Sequence, residues 1–141
     1  MNKNISVIYN LVQELAWYFG NQGFDGECCE NLSLVEFMAL KKIYEKNNLS
    51  IQEIGIALNF TKSGATRIID RLENKGYVTR ERSPLDGRVC CVTITEEGTV
   101  VTIRIIKKYT VYLEEKLREL EPQMVGNIKK ALEILVKAVQ H

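Results

Sequence analysis

The sequence predicts a mainly α-helical, α+β fold in which a small helical lobe carries one β-hairpin and is flanked by longer helices. Three observations support this prediction. Apolar residues recur at helical spacing near both ends of the chain. Two short helices with capping residues follow one another between residues 50 and 75. Strand-favouring residues then lie on both sides of a turn that contains Pro and Gly, which is typical of a hairpin.

The overall composition suits one compact unit of 141 residues, and a hydrophobic content of 45% is ordinary for a globular protein. No apolar run reaches the ~18 residues of a membrane span, so no membrane partner is expected. Asn10, Gln13 and Glu14 interrupt the N-terminal apolar stretch, which favours an amphipathic helix over a signal peptide. These features predict a cytoplasmic location, where thiols stay reduced.

The first two helices are predicted from their apolar spacing and their caps. Helix 1 covers residues 4–20. Ser33 and Glu36 form a capping box that opens helix 2, which continues to about Lys46. The mostly apolar face of helix 2 is predicted to contain Leu34, Phe37, Met38, Lys41 and Tyr44.

The next two helices are separated by only a few residues, which is the spacing of a helix-turn-helix. Ser50 and Glu53 repeat the capping box and open helix 3, which ends at about Leu58. Asn59 tolerates the left-handed backbone that ends a helix and turns the chain. Thr61 then caps helix 4, which runs to a Gly stop at residue 76.

A hairpin follows helix 4, with strands at residues 77–82 and 88–94 and a turn at Ser83–Gly87. We call this hairpin the wing. Thr95 caps helix 5, which is expected to reach about Leu120, and helix 6 follows Pro122 with an apolar seam. The chain is therefore predicted to be one unit, 1–141, with a winged helix-turn-helix lobe at 32–95 and dimerisation helices at 1–20 and 96–141.

The charge is distributed unevenly although the net charge is only +1. Residues 61–91 carry seven basic and four acidic side chains, a local balance of 7 − 4 = +3. A local basic face can neutralise phosphates even when the whole molecule is nearly neutral. Charge alone is equally compatible with a solvated surface of mixed sign.

The start of helix 4 carries short or flexible hydrogen-bonding side chains, which suit base edges in a major groove, and its backbone N–H groups suit a phosphate. Arg67 can contact a guanine in bidentate fashion or clamp a phosphate, and both roles remain open. The wing adds an arginine that can contact the adjoining DNA backbone or enter the minor groove. The predicted DNA-binding residues are Thr61, Lys62, Ser63, Thr66, Arg67, Arg71, Arg82, Asp86 and Arg88.

Helices 5 and 6 contain more apolar surface than one small lobe can cover, and a helix that is apolar on several sides needs several partners. This predicts a homodimer in which helices 1, 5 and 6 pack against a second copy, with an intrachain bundle as the alternative. A two-fold dimer would bind double-stranded DNA at a near-palindromic operator with half-sites about one helical turn apart, or a multiple of it.

Three segments resemble motifs of the MarR family of bacterial and archaeal winged-helix regulators. Leu58–Ser63 is similar to the family's turn and entry to helix 4, and Arg71–Val78 resembles its helix-to-wing signature. Asp86-Gly87-Arg88, followed by Ile94-Thr95 and Gly98, resembles its wing motif. The resemblance implies a homodimeric regulator, usually a repressor, whose DNA affinity changes with a small ligand, a metal or thiol oxidation.

Two sets of residues are candidates for sensing an effector, although no cofactor is expected to be required. Cys28 and Cys29 could bind a thiophilic metal or undergo oxidation, and incidental thiols are the alternative. Cys90 and Cys91 are expected to point to opposite faces of a strand. An apolar cleft between helices 1, 2 and 5 could bind a lipophilic ligand, although the same aromatics could be plain core. Its predicted lining is Trp17, Phe19, Phe37, Tyr44, Tyr109 and Tyr112.

Three classes of protein besides a DNA-binding regulator fit the sequence less well. A thiol-dependent enzyme would need a His close to a Cys, but the one His is residue 141, and no Gly-rich phosphate loop is present. The chain is therefore predicted not to be an enzyme. A thiol-based metal- or redox-responsive protein and a helical protein-interaction module without DNA binding both remain open. The interaction module would leave the Asp86-Gly87-Arg88 motif without a purpose.

Overall fold

The computed structural model describes residues 2–20, 30–82 and 89–140. The chain separates into two compact units, Met1–Ile103 and Arg104–His141. The mainly helical fold with one small hairpin confirms the predicted fold class. The elements, in chain order, are α1 Lys3–Phe19, α2 Leu34–Glu45, α3 Ile51–Leu58, α4 Lys62–Asn74, β1 Val78–Arg82, β2 Val89–Ile94, α5 Glu96–Lys116 and α6 Pro122–Val139.

Both predicted capping boxes are present. The Ser33 hydroxyl accepts from the Glu36 amide at 3.1 Å, while the Glu36 carboxylate accepts from the Ser33 amide at 2.9 Å. Ser50 and Glu53 make the same reciprocal pair at 2.9 and 3.0 Å. Each pair satisfies two amides that the first turn of a helix leaves without a backbone partner. The starts of α2 and α3 are therefore set by local sequence.

The turn between α3 and α4 has the predicted left-handed residue, since Asn59 has φ 58° and ψ 44°. The Phe60 amide then donates to the Gly55 carbonyl at 2.7 Å. A Cβ at Gly55 would lie 3.2 Å from the Phe60 carbonyl oxygen and 3.5 Å from Ala65 Cβ. Gly55 therefore lets α3 and α4 cross closely, and the Thr61 hydroxyl caps α4 by accepting from the amide of residue 64 at 3.0 Å.

The wing is an antiparallel pair with Val78 opposite Ile94 and a bulge between Glu81 and Arg82. Leu49 adds a single bridge on the other side of β2, where the Val92 amide donates to the Leu49 carbonyl at 2.7 Å. This bridge fastens the wing to the segment that leads into α3.

The core of the first unit lies between α2, α3, α4 and the wing. The apolar face predicted for α2 is only partly buried: Phe37 lies in the core, but Leu34 and Tyr44 are exposed. Helix α2 instead buries the stripe that starts at Glu36, because α3 and α4 both pack on that side. The buried apolar residues of this unit are Leu32, Phe37, Ala39, Leu40, Ile43, Leu49, Ile54, Ala65, Ile68, Ile69, Leu72, Val78, Val92 and Val101.

Helix α5 begins as predicted, with the Thr95 hydroxyl accepting from the Gly98 amide at 3.0 Å. It ends at Lys116 and not at the predicted Leu120, because tighter turns follow: the Leu120 amide donates to Leu117 at 3.0 Å. Proline starts α6, where its missing N–H leaves no helical bond unmade. No helix among the described residues is long and apolar enough to cross a membrane.

Candidate nucleic-acid interface

Helix α4 has one buried side and one exposed polar side. Ala65, Ile68, Ile69 and Leu72 are buried, which fixes the rotation of the helix in the lobe. The opposite side presents a stripe of exposed side chains at successive turns. We call this side, together with the exposed Lys62 at the first position of the helix, the α4 stripe, and it consists of Lys62, Ser63, Arg67 and Arg71.

The predicted hydroxyl contacts of α4 divide into two groups. Thr61 is used as the cap and also lies 3.2 Å from the Ser63 hydroxyl. The Thr66 hydroxyl donates to the Lys62 carbonyl at 2.9 Å and is partly buried. Both threonines therefore serve the helix itself in this structure. Ser63 is exposed and belongs to the outward side with the basic residues.

Two basic residues near the stripe are neutralised by long-range ion pairs. Arg80 of β1 pairs with Asp70 and Glu73 of α4. Lys75 pairs with Glu36 of α2 at 3.0 Å. In contrast, within the described part of the chain the three basic residues of the α4 stripe make no ion pair. The cations of the α4 stripe are therefore available to an anionic partner.

The end of α4 is clamped to the start of α2. The Glu36 carboxylate is buried and accepts from both the Ser33 amide and the Lys75 ammonium. Burial raises the pKa of Glu36, but these two donors outweigh it and hold the pKa below its ordinary value. Lys75 also donates to the Asn31 carbonyl at 2.7 Å, and the Tyr77 hydroxyl donates to the Asn31 side chain at 3.1 Å. This clamp fixes where α4 points.

A shallow groove runs beside the stripe, between the starts of α2 and α4. Its apolar lining includes Val35 and Phe60, which the sequence did not single out. The sequence signal for Phe60 is its place as an apolar residue directly before the Thr61 cap. A Cβ at Gly64, which also lines the groove, would lie 3.2 Å from the Thr61 hydroxyl oxygen. A side chain at this position would require the Thr61 hydroxyl to shift by a few tenths of an ångström.

The wing residues are described only in part. Arg82 is exposed at the end of β1. Asp86 and Arg88 lie outside the described residues, as does the predicted turn that carries them. Their assignment to the interface therefore stays a prediction.

The candidate sensing residues belong to both units. Trp17 and Tyr44 are exposed, Phe19 is half-buried and Phe37 is in the core of the first unit. Within the second unit, burial raises the pKa of the Tyr109 phenol. The predicted lining set of Trp17, Phe19, Phe37, Tyr44, Tyr109 and Tyr112 therefore stays a prediction.

The cysteines are mostly outside the described residues, which include neither Cys28 nor Cys29, nor the side chain of Cys90. Cys91 is half-buried, with its sulfur 3.9 Å from the Asn48 side-chain oxygen. Among residues 2–20, 30–82 and 89–140, no cluster of three His, Cys, Asp or Glu side chains could hold a metal ion.

Comparison with known proteins agrees with this geometry. Residues 32–90, which contain the helix-turn-helix and most of the wing, match the MarR family. The HTH-type transcriptional regulator MhqR of Bacillus subtilis is 30% identical over 94 residues, covering 67% of this chain and 65% of that regulator. The chain thus spans slightly less than two thirds of that relative. The winged-helix region of the chain is therefore similar to the MarR family, as its sequence motifs predicted, and the relatives that it matches are named as transcriptional regulators.

Solved structures show the same fold at lower identity. A MarR family protein from Bacillus stearothermophilus superposes with a TM-score of 0.82 at 20% identity, covering 100% of this chain and 99% of the other. FabT from Streptococcus pneumoniae, in complex with DNA, gives a TM-score of 0.68 at 19% identity, covering 98% and 94%. At these identities the likeness concerns the fold.

Proposed function

We propose that this chain is a sequence-specific, DNA-binding transcriptional regulator that acts as a homodimer on a near-palindromic operator. The observation that carries the proposal is the α4 stripe, whose cations are exposed and without ion-pair partners in the described chain while neighbouring cations are paired. The DNA complex of the similarly folded FabT supports the same use of this chain. Binding to chromosomal DNA would place the regulator in the cytoplasm.

The α4 stripe would supply both positioning and readout. Lys62 and Arg71 neutralise phosphates on either side of the groove, and the amides at the start of α4 add donors for the backbone. Arg67 lies midway and would hydrogen-bond the O6 and N7 of a guanine. Arg82 and Arg88 of the wing would hold the adjoining backbone, with Asp86 ordering the turn.

The dimer would be formed by apolar surfaces outside the helix-turn-helix. Within the first unit, no described residue of α1 is buried, and its exposed side chains include Ile5, Leu11 and Trp17. Within the second unit, α6 likewise exposes Leu132 and Val139. Exposed apolar side chains this numerous on a helix are typical of an interface with another chain. A second copy would cover them and set two α4 helices in successive major grooves.

The resemblance to the family supports repression of a nearby promoter, with release or tightening by a small ligand, a thiophilic metal or thiol oxidation. We assign the binding of a small ligand to the aromatic residues of α1, α2 and α5, and the response to a metal or to oxidation to Cys28 and Cys29. A thiol-based sensor or a helical interaction module that does not bind DNA gains no specific support from the described residues.

Selection of bound duplexes from random DNA tests the proposal, with the purified chain at moderate salt. We expect enrichment of one near-palindromic sequence whose half-sites are about 10 base pairs apart, or a multiple of this. Repeating the selection with added metals or with oxidant would reveal an effector as a change in the bound fraction. Recovery of sequences no different from the starting pool would contradict sequence-specific binding.

A further inference from the structure

We propose that Arg80 is a positioning residue of the DNA interface: it neutralises two carboxylates of α4 and does not itself contact DNA. The inference rests on the proposed function, since it concerns how the α4 stripe becomes usable. In the sequence, Arg80 stands with the other arginines of the wing. In the structure its side chain is held by two carboxylates of α4, whereas that of Arg82 is exposed.

The geometry shows one arginine bridging two acids. The Nη1 of Arg80 donates to the Glu73 carboxylate at 2.7 Å, and its Nη2 pairs with the Asp70 carboxylate. Asp70 and Glu73 are three residues apart, so they lie on the same side of α4. A planar guanidinium with several fixed donors is suited to hold both acids at once, which a lysine could not do as well.

The strand delivers Arg80 to that position. Val78 and Arg80 lie two residues apart on β1 and therefore share a face, and Val78 is buried in the core. Thr79 points to the other face, where its hydroxyl lies 2.9 Å from that of Thr93. On the face of β1 that packs on α4, the apolar contact of Val78 is therefore followed by the charged contact of Arg80.

The two acids would otherwise oppose DNA binding. Asp70 follows Arg67 by three residues and adjoins Arg71, so it borders the α4 stripe, and about half of its side chain is exposed. A carboxylate at this position would face phosphates of like charge, which is costly at an interface. The Arg80 side chain is only 23% exposed and its fork is occupied by both acids. Its charge therefore acts on α4 and not outward.

The test compares affinities for the duplex chosen by selection. We expect Arg80→Gln to weaken binding by roughly 10-fold, because two carboxylates are left uncompensated. Adding Asp70→Asn and Glu73→Gln to that variant should restore affinity to near the parent value, because no unpaired acid remains. Arg118→Gln is the matched control, since it removes an arginine that pairs with Glu115 outside the lobe, and it should bind like the parent.

A triple variant as weak as Arg80→Gln, or an Arg80→Gln that binds like the parent, overturns the proposal. If Arg80→Gln fails to fold in an unfolding titration, the Asp70→Asn/Glu73→Gln variant decides, since it should bind at least as tightly as the parent. Weaker binding by that variant overturns the proposal. If the parent chain binds no duplex, the proposed function itself is refuted. If the parent chain binds the selected duplex but the variants do not behave as expected, only the role proposed for Arg80 is refuted.

Discussion

At Gly98 the first turn of α5 passes so close to the start of the wing that no side chain fits. A Cβ there would lie 2.2 Å from the Tyr77 carbonyl oxygen and 2.8 Å from Cγ1 of Ile94. The Tyr77 carbonyl cannot easily move, because it accepts from the Thr95 amide at 3.0 Å. The glycine of the family-like wing motif therefore has a packing role.

We expect Gly98→Ala to lower the free energy of unfolding by about 2 kcal/mol or more, because the added methyl group forces backbone apart. Urea unfolding of the two proteins measures this. Gly126→Ala is the control: its Cβ would meet nothing within 4 Å, and Ala is favoured over Gly in a helix by up to ~1 kcal/mol. If the parent and Gly98→Ala had the same free energy of unfolding, the first turn of α5 would be able to move aside, and the packing role of Gly98 would be contradicted.

Glu36 should contribute to stability in a pH-dependent way. Its pKa is lowered in the folded chain, so its contribution is present above the unfolded pKa and is lost as pH falls through the folded pKa. We expect Glu36→Gln to cost about 1–2 kcal/mol at pH 7, through the weakened bond to the Lys75 ammonium. Denaturant unfolding at pH 7 and at about pH 3 should show this difference shrinking at the lower pH.

Glu53→Gln is the matched variant for that experiment, because Glu53 has the same capping-box bonds but makes no lysine ion pair within the described chain. It should cost less at pH 7. A Glu36→Gln difference that is constant from pH 7 to pH 3 would refute the ion-pair explanation.

Helix α4 is the element on which DNA binding depends in the proposed function. Arg67 lies at the middle of the α4 stripe and Arg71 at its end, both exposed. We expect Arg67→Ala to weaken binding and to relax the preference at one base pair of each half-site, by about 1–3 kcal/mol. Arg71→Ala should weaken all duplexes about equally, because a phosphate contact carries no sequence information.

Fluorescence anisotropy with the selected duplex and single-base variants of it measures both effects. Lys130→Ala, an exposed lysine of α6, controls for the loss of one positive charge. If Arg67→Ala weakened all duplexes uniformly, Arg67 would be a phosphate clamp, which is the second role that its place in the sequence allows.

Local signals explain which elements were predictable from sequence. A Ser followed by Glu three residues later, or an Asn where the chain must turn, acts within one helical turn and can be seen in the sequence. Contacts between residues far apart in the sequence cannot be seen in this way. Examples are the ion pair between Lys75 and Glu36, which are 39 residues apart, and the bridge between Leu49 and Val92, which joins the wing to another segment. The face of α2 was partly misjudged for the same reason, since two later helices decide which side is covered.

At the scale of the whole molecule, binding to a palindromic operator requires two copies of the chain. Light scattering should give twice the mass of one chain. Leu132→Glu places a charge on the exposed apolar surface of α6, and we expect it to shift the chain toward the monomer and to reduce operator affinity at least 10-fold, because the two lobes then bind separately. Lys130→Glu, on the opposite side of the same helix, should stay dimeric.

A parent chain that is monomeric at micromolar concentration, or a Leu132→Glu variant that stays dimeric, would argue against this interface. Apolar surface on helices 1, 5 and 6 is the basis on which the sequence predicts a dimer. It was not enough to predict which helix of one copy covers which helix of the other, because no local pattern encodes the partner's surface.

The salt dependence of binding to the selected duplex tests the central claim most directly. If Lys62 and Arg71 of both subunits neutralise four phosphates, the logarithm of affinity should fall linearly with the logarithm of salt concentration, with a slope of about −3.5 or steeper. Arg71→Ala should flatten that slope by about 2, one contact from each subunit. Binding that is insensitive to salt, or absent for every duplex, would contradict the claim that the α4 stripe is a nucleic-acid interface.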